Sequence, residues 1–368
     1  MSLFSWLRSK VTPVTPTFNA RVSGFWQWYI EVAPRFLTTI ENGRCASLTG
    51  ETSRKVDEFF PGMSWVFGRG AGGHGHSFTL TGEGNLNRQL LTQQWLAQAP
   101  TLEGWTFHAA RQPDRIKGHV IEMGGMRFDP KEIWVTTALN AERECLDLTV
   151  WHPLWEKIPD SQRTTITFLF LDEALGEYGT EWWVGRVDYG RDKLGEAFPL
   201  EELADHVDTA VRERGWKKFP PGQSLTLYRT KGRTIQDFPR ADVLTQSTAV
   251  PGLFREFVGS MGELTDPLAG FGADYVYVSI DRAFFPAGEE VAALGRIEDA
   301  IERTLTLAAS GRCIGGAMGS LRCYSDFLIF DGPRSLEIIR QTLRDFHVPA
   351  GTTIEFFARE KRAQRIIL

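Results

Sequence analysis

Apolar residues between positions 22 and 41 return at every third or fourth place, so Phe25, Tyr29, Val32, Phe36 and Ile40 share one face of an expected helix. The same period predicts helices at 52–60, Asn85–Gln98, Pro199–Arg214 and Glu289–Ala309, and another opened by Pro333. The last two carry inward stripes, Leu294, Ile297, Ile301 and Leu305 in one and Leu336, Ile339, Leu343 and Phe346 in the other. Shorter runs predict strands at Ser64–Gly70, Ser77–Thr81, 105–108, 119–128, 132–139, 145–151 and Trp182–Tyr189. Residues 164–171, Thr-Thr-Ile-Thr-Phe-Leu-Phe-Leu, are β-branched and aromatic and read as a buried strand.

Near the end of the chain, strands at Tyr275–Ile280, Cys313–Ala317, Leu321–Phe330 and Thr352–Phe357 alternate with the two striped helices. Their order is β-α-β-β-α-β, the ferredoxin-like plan, in which two crossover helices cover one face of a four-stranded sheet. The expected class is α+β: an amino-terminal mixed helix/antiparallel-sheet module followed by a ferredoxin-like βαββαβ domain. Pro220-Pro221-Gly222 cannot continue a helix and marks a joint. The expected organisation is an amino-terminal segment 1–17, a module 18–216, a linker 217–224 and a carboxy-terminal domain 225–368 with its ferredoxin-like core at 274–358. Gly315-Gly316-Ala-Met-Gly319 is taken as the hairpin turn between the middle strands, centred on Met318, which sets Cys313 opposite Cys323.

Composition narrows the function classes. With 368 residues, 42% hydrophobic and 24% charged, the chain is of ordinary globular type and suits two domains. A net charge of −5 with no polybasic block argues against direct nucleic-acid binding, which rests on a concentrated positive field. The four cysteines form no C-x-x-C pair, which suits a reducing cytoplasm. No signal peptide and no transmembrane segment are expected, and Phe4, Trp6 and Leu7 read as a frayed or docked terminus.

Candidate chemistry is sparse. His74 and His76 form an H-x-H pair of metal-ligating type within a glycine-rich loop that otherwise reads as a hairpin tip. Asp172, Glu173, Glu177 and Glu181 gather after the 164–171 run, where carboxylates serve acid/base or metal chemistry, or where Asp172 caps a short helix that Gly176 or Gly179 ends. Trp151, Trp155, Trp182 and Trp183 lie close to these acids in sequence, and tryptophan is enriched at binding surfaces. There is no Walker lysine after Gly311–Ser320 and no G-x-S-x-G elbow, so neither a catalytic residue nor a cofactor is assigned.

The series Phe25-Trp26-x-Trp28, Leu80-Thr-x-Glu-Gly84, Ala99-Pro-x-Leu-x-Gly-Trp105, Leu148-Thr-Val-Trp-His152 and Phe170-Leu-Asp-x-x-Leu-Gly-Glu177 resembles bacterial proteins carrying the domain of unknown function 695. Ile297-Glu-Asp-Ala-Ile301, with the glycine-rich hairpin and Tyr324–Phe330, resembles ribonuclease E inhibitor-like domains, the regulator of ribonuclease activity B type. The ending departs from that family, since it lacks the expected aromatic-rich tail. The resemblance implies a cytoplasmic bacterial protein and a protein partner of ribonuclease type, and it does not imply a catalyst.

The expected function is therefore non-catalytic binding or regulation through protein–protein contacts. Asp172, Glu177, Trp151, Trp182 and Trp183 are the candidate binding residues. The polar side of the 296–303 helix, carrying Arg296, Glu298, Asp299 and Arg303, is a candidate contact surface. The alternative is a metal-dependent hydrolase using the acidic cluster after the 164–171 strand and the 74/76 histidine pair.

Overall fold

The computed structural model describes residues 16–114, 120–233 and 237–368, and the amino-terminal segment with Phe4, Trp6 and Leu7 lies outside them. The fold is α+β, with helices and several sheets, and no helix among the described residues is long and apolar enough to cross a membrane. Two compact units emerge among the described residues, and neither is contiguous: one lies within 16–34, 46–62 and 225–368, the other within 35–45 and 63–224. The expected module 18–216 is thus divided, because residues 18–34 and 46–62 group with the carboxy-terminal part. The division falls at Pro34, inside the helix Phe18–Glu41.

The first unit is built on a seven-stranded antiparallel sheet, ordered Thr226–Arg229, Val243–Thr248, Gly311–Gly319, Arg322–Ile329, Asp274–Asp281, Thr353–Phe356 and Ile366–Ile367. Val276, Val278 and Ile280 alternate with residues of the opposite face and pack with Ile297, Ile301, Leu305, Ile339 and Leu343 of the helices Glu290–Leu307 and Pro333–Asp345. The stripe Leu294, Ile297, Ile301 and Leu305 is buried as expected. In the second helix Ile339 and Leu343 are buried on the same side of the sheet and Leu336 is partly buried, but Phe346, expected in that stripe, follows the helix's last residue and is exposed. Glu298, expected on the polar side of its helix, instead turns toward the sheet: a Cβ at Gly316 would collide with its carboxylate. That face has room for Glu298 because Gly316 offers no side chain.

The hairpin between the middle strands corrects the sequence expectation. Met318, not Cys313, faces Cys323, while Cys313 faces Phe327 across a register shift at Cys313/Gly315. The glycine run belongs to the strand Gly311–Gly319, and the chain reverses at Ser320 and Leu321. Asp242 moves the turn: its carboxylate accepts from the Leu321 and Arg322 amides at 3.1 and 3.0 Å, and its carbonyl accepts from Ser320. Gly315, at φ 140°, lies so close to the Ser247 carbonyl that a Cβ there would collide with it, so the bulge requires glycine.

The second unit contains a three-stranded sheet in which Ser64–Arg69 pairs antiparallel and Trp105–His108 pairs parallel with His76–Thr81. Beside it are a four-stranded sheet ordered Val184–Tyr189, Cys145–Trp151, Trp134–Asn140 and Phe198–Pro199, and the small ribbon Ile121–Met123 with Met126–Phe128. The parallel pairings make these sheets mixed rather than purely antiparallel.

The 164–171 strand does not form; these residues lie in the helix Asp160–Trp183. Ile166, Phe170 and Ala174 recur every four residues and are buried with Leu171 in the core of this unit. The threonines that suggested a strand adapt to the helix, Thr164, Thr165 and Thr167 donating to the carbonyls of Asp160, Ser161 and Arg163. Burial of a helical face outweighs local β preference here.

Candidate functional site

Gly176 breaks the helix Asp160–Trp183, with φ 75° and ψ 162°. A side chain there would meet Pro113 Cδ at 2.9 Å and the Arg111 carbonyl at 3.0 Å, so glycine is required both for conformation and for close approach. The segment after the strand Trp105–His108 pairs with the broken helix: Glu177 N–H donates to Arg111 O and Asp114 N–H to Glu173 O, at 3.0 and 2.8 Å. The break thus brings Asp172, Glu173 and Glu177 beside residues 108–114.

Glu177 fastens this junction. Its side chain is among the most buried polar groups, 1% exposed. One carboxylate oxygen accepts from Thr81 Oγ1 at 2.5 Å and from the Arg111 amide at 3.3 Å. The other accepts from Gln89 Nε2 at 2.9 Å and the Gly84 amide at 3.0 Å. Four donors occupy the carboxylate, which makes it a structural clamp.

Asp172 is different. It lines a cleft of about 580 Å³ together with Ser77, Thr79, His108, Arg111 and the glycine-rich rim 68–73. Thr79 and His108 are register partners in the parallel pair, and Ser77 lies two residues along, so the three share one sheet face. Ser77 and Thr79 are 4% and 3% exposed, and their hydroxyls have no hydrogen-bond partner among the described residues. Burial holds the His108 imidazole below its usual pKa, so it is neutral near pH 7. Burial pushes Asp172 up to about 6, aided by the nearby charges of Glu177 and Glu83; the Thr180 hydroxyl and the Arg111 guanidinium act in the other direction. Thr180 Oγ1 is itself buried and outside hydrogen-bond geometry. Arg111 gives its charge to Glu83, at 2.7 Å. Glu181 accepts from Gln89 and is also raised, chiefly by burial, although water on its exposed side screens the effect.

The remaining candidates are placed apart. His74 is exposed in the glycine loop, and His76 tilts against Trp105 with ring centroids 6.3 Å apart. Among the described residues no three His, Cys, Asp or Glu side chains are grouped to hold a metal ion, so the 74/76 pair and the acids do not converge. Trp183 stacks on Trp216 at 6.2 Å and 11°, and Trp182 lies against Tyr178 and Trp183. Trp151 donates to the Arg191 carbonyl at 3.0 Å and makes no ring contact with Trp182 or Trp183 among the described residues. The sequence singled out Asp172 but missed Ser77, Thr79 and His108; the signal available for them was Gly176, whose break creates the cleft wall.

No family model matches the chain, and no curated protein or solved structure matches it.

Proposed function

We propose that this chain is a non-catalytic binding or regulatory protein of the bacterial cytoplasm, acting through protein–protein contacts, and that the cleft receives a basic side chain of its partner. One observation carries this reading: Asp172 sits in the cleft wall with its carboxyl raised by burial, and the nearby Arg111 cation is already paired with Glu83. An arriving ammonium or guanidinium would supply the missing counter-charge, and the free hydroxyls of Ser77 and Thr79 would accept its remaining hydrogens. Glu177 then has a supporting role, holding residues 81–111 against the broken helix.

The strand order Gly311–Gly319, Arg322–Ile329, Asp274–Asp281, Thr353–Phe356, with both helices on one side, supports the ferredoxin-like reading of residues 274–358. The resemblance to ribonuclease inhibitor-like domains supports a ribonuclease as partner. Fluorescence polarisation with labelled lysine- and arginine-containing peptides, and acidic peptides as controls, tests the cleft. Basic peptides should bind more tightly as pH rises from 5 to 7 and Asp172 ionises, and Asp172→Asn should weaken them roughly tenfold, the scale of one charge-assisted contact. Equal binding of basic and acidic peptides, or an unaffected Asp172→Asn variant, would sink the proposal.

A second reading, hydrolysis in the same cleft, has one favouring observation: neutral His108 shares a sheet face with the hydroxyls of Ser77 and Thr79. Turnover of p-nitrophenyl esters that disappears in His108→Ala, with unchanged stability, would select it over binding.

A further inference from the structure

The unit with the seven-stranded sheet has a polar pocket of about 480 Å³ on the face turned away from the helices Glu290–Leu307 and Pro333–Asp345. Tyr277, Ser279 and Glu355 alternate with the buried apolar residues of their strands, which puts them on this face, and Arg322 and Arg365 complete the wall. A deeper guanidinium, Arg240, is fully engaged. It pairs with both oxygens of Asp326 at 2.7 and 3.2 Å, donates to Gln246 at 2.7 Å, and lies 4.8–4.9 Å from the ring centres of Tyr277, Tyr324 and Phe357. It forms a rigid floor rather than a free cation.

The charges above that floor do not cancel. Arg322 donates only to neutral oxygens: Ser279 Oγ at 2.5 Å, Ser279 O at 2.9 Å and Gly351 O at 3.1 Å. Arg365 is exposed and has neither ion pair nor hydrogen bond among the described residues. Glu355, the acid of the lining, accepts from Tyr277 Oη at 3.0 Å and from Thr353 Oγ1 at 2.7 Å, so hydroxyls cap both of its oxygens and neither arginine is bonded to it. Two guanidiniums thus face a pocket with one hydroxyl-capped carboxylate. Its volume exceeds that of a bare phosphate and falls in the range of small-molecule sites. Arg322 is fixed in place by three hydrogen bonds through Nε and Nη2, which leaves Nη1 as its nitrogen for a single charge-assisted contact with an oxyanion.

We propose that this pocket binds a small phosphate monoester, with the phosphate between Arg322 and Arg365 and the organic part toward Tyr277 and Ile367. The site lies in a different unit from the cleft and stands or falls independently of it. Calorimetric titration of the full chain with phenyl phosphate, at constant ionic strength and with inorganic phosphate as comparison, tests it. Saturable one-to-one binding is expected, weakened roughly tenfold in Arg365→Glu and in Arg322→Gln, the scale of one lost charge-assisted pair. Because Arg365 is exposed and unbonded, its variant should fold normally and keeps the test decisive if Arg322→Gln does not. Absence of saturable binding, or binding unchanged in Arg365→Glu, would overturn the proposal. Inorganic phosphate binding as tightly as phenyl phosphate would overturn the monoester assignment.

Discussion

Replacing Glu177 with alanine removes a carboxylate that four donors share: the buried Thr81 Oγ1 and Gln89 Nε2, and the half-buried bonds from the amides of Gly84 and Arg111. The Thr81 and Gln89 side chains are both fully buried; Gln89 keeps Glu181 as a second acceptor, whereas the Thr81 hydroxyl has limited freedom to find another partner. Hydrogen bonds to a charged group contribute roughly 1.5–3 kcal/mol each, and a stranded buried donor costs about 1–3 kcal/mol. The four are not additive, because some amides will recruit water into the vacated space; a loss of about 3–5 kcal/mol is expected for Glu177→Ala. Glu177→Gln keeps the shape but turns one acceptor into a donor. Each carboxylate oxygen faces a backbone amide, so one N–H is set against another whichever way the amide lies, at an expected cost of about 2 kcal/mol. Urea unfolding followed by tryptophan fluorescence reads this unit selectively, since residues 35–45 and 63–224 hold nine of the twelve tryptophans. A Glu177→Ala variant within about 1 kcal/mol of the parent would refute the clamp.

Asp172→Asn should leave thermal stability unchanged near pH 4 and raise it above pH 6: a carboxyl lifted to about 6 on folding contributes stability that is complete below its unfolded pKa of 3.8 and disappears as pH rises through 6. A thermal-unfolding pH series that shows the same slope for variant and parent would contradict this. Glu298→Gln should likewise flatten the loss of stability between about pH 4.5 and 7, because burial lifts Glu298 from 4.5 to about 7, and circular dichroism melts at several pH values would show it. Gly176→Ala should destabilise by about 2–3 kcal/mol in urea titration, since φ 75° with ψ 162° is a region that only glycine occupies cheaply. Under mild oxidant, Met318→Cys should form a disulfide with Cys323, its register partner, while the parent chain keeps both native thiols free; mass spectrometry of non-reduced peptides decides.

What could be read from the chain alone follows from where the determining interactions lie. The stripe Leu294, Ile297, Ile301, Leu305 specifies its helix within a few turns, and nothing distant contradicts it, so element and buried face were both legible. Residues 164–171 carry a local preference that points the wrong way, and the deciding fact, burial of Ile166, Phe170 and Ala174 along one side of a helix, depends on partners far along the chain. The hairpin turn failed for a similar reason. Symmetric pairing about Met318 is the simplest local solution, but Asp242, some eighty residues earlier, captures the Leu321 and Arg322 amides and draws the reversal toward itself.

The cleft shows the limit most clearly. Asp172 stood out because four acids cluster in sequence, yet clustering did not separate its role from that of Glu177. Five residues apart, one ends as a clamp with four donors and the other as an acid raised by burial in an open wall, and the difference is made by Gly176 between them. A straight helix would place residues 172 and 177 a little over one turn apart, at an angle set by the helical repeat alone. The break frees them to point differently and opens the backbone to residues 111–114, which carry the chain away from His108. Ser77, Thr79 and His108 then reach the same space only because two strands separated by a helix pair in parallel, an arrangement with no mark in any short motif. A glycine inside an apolar helical pattern, flanked by acids, is the local trace that such a site leaves: it signals that a carboxylate is being aimed by the backbone rather than by its own rotamer.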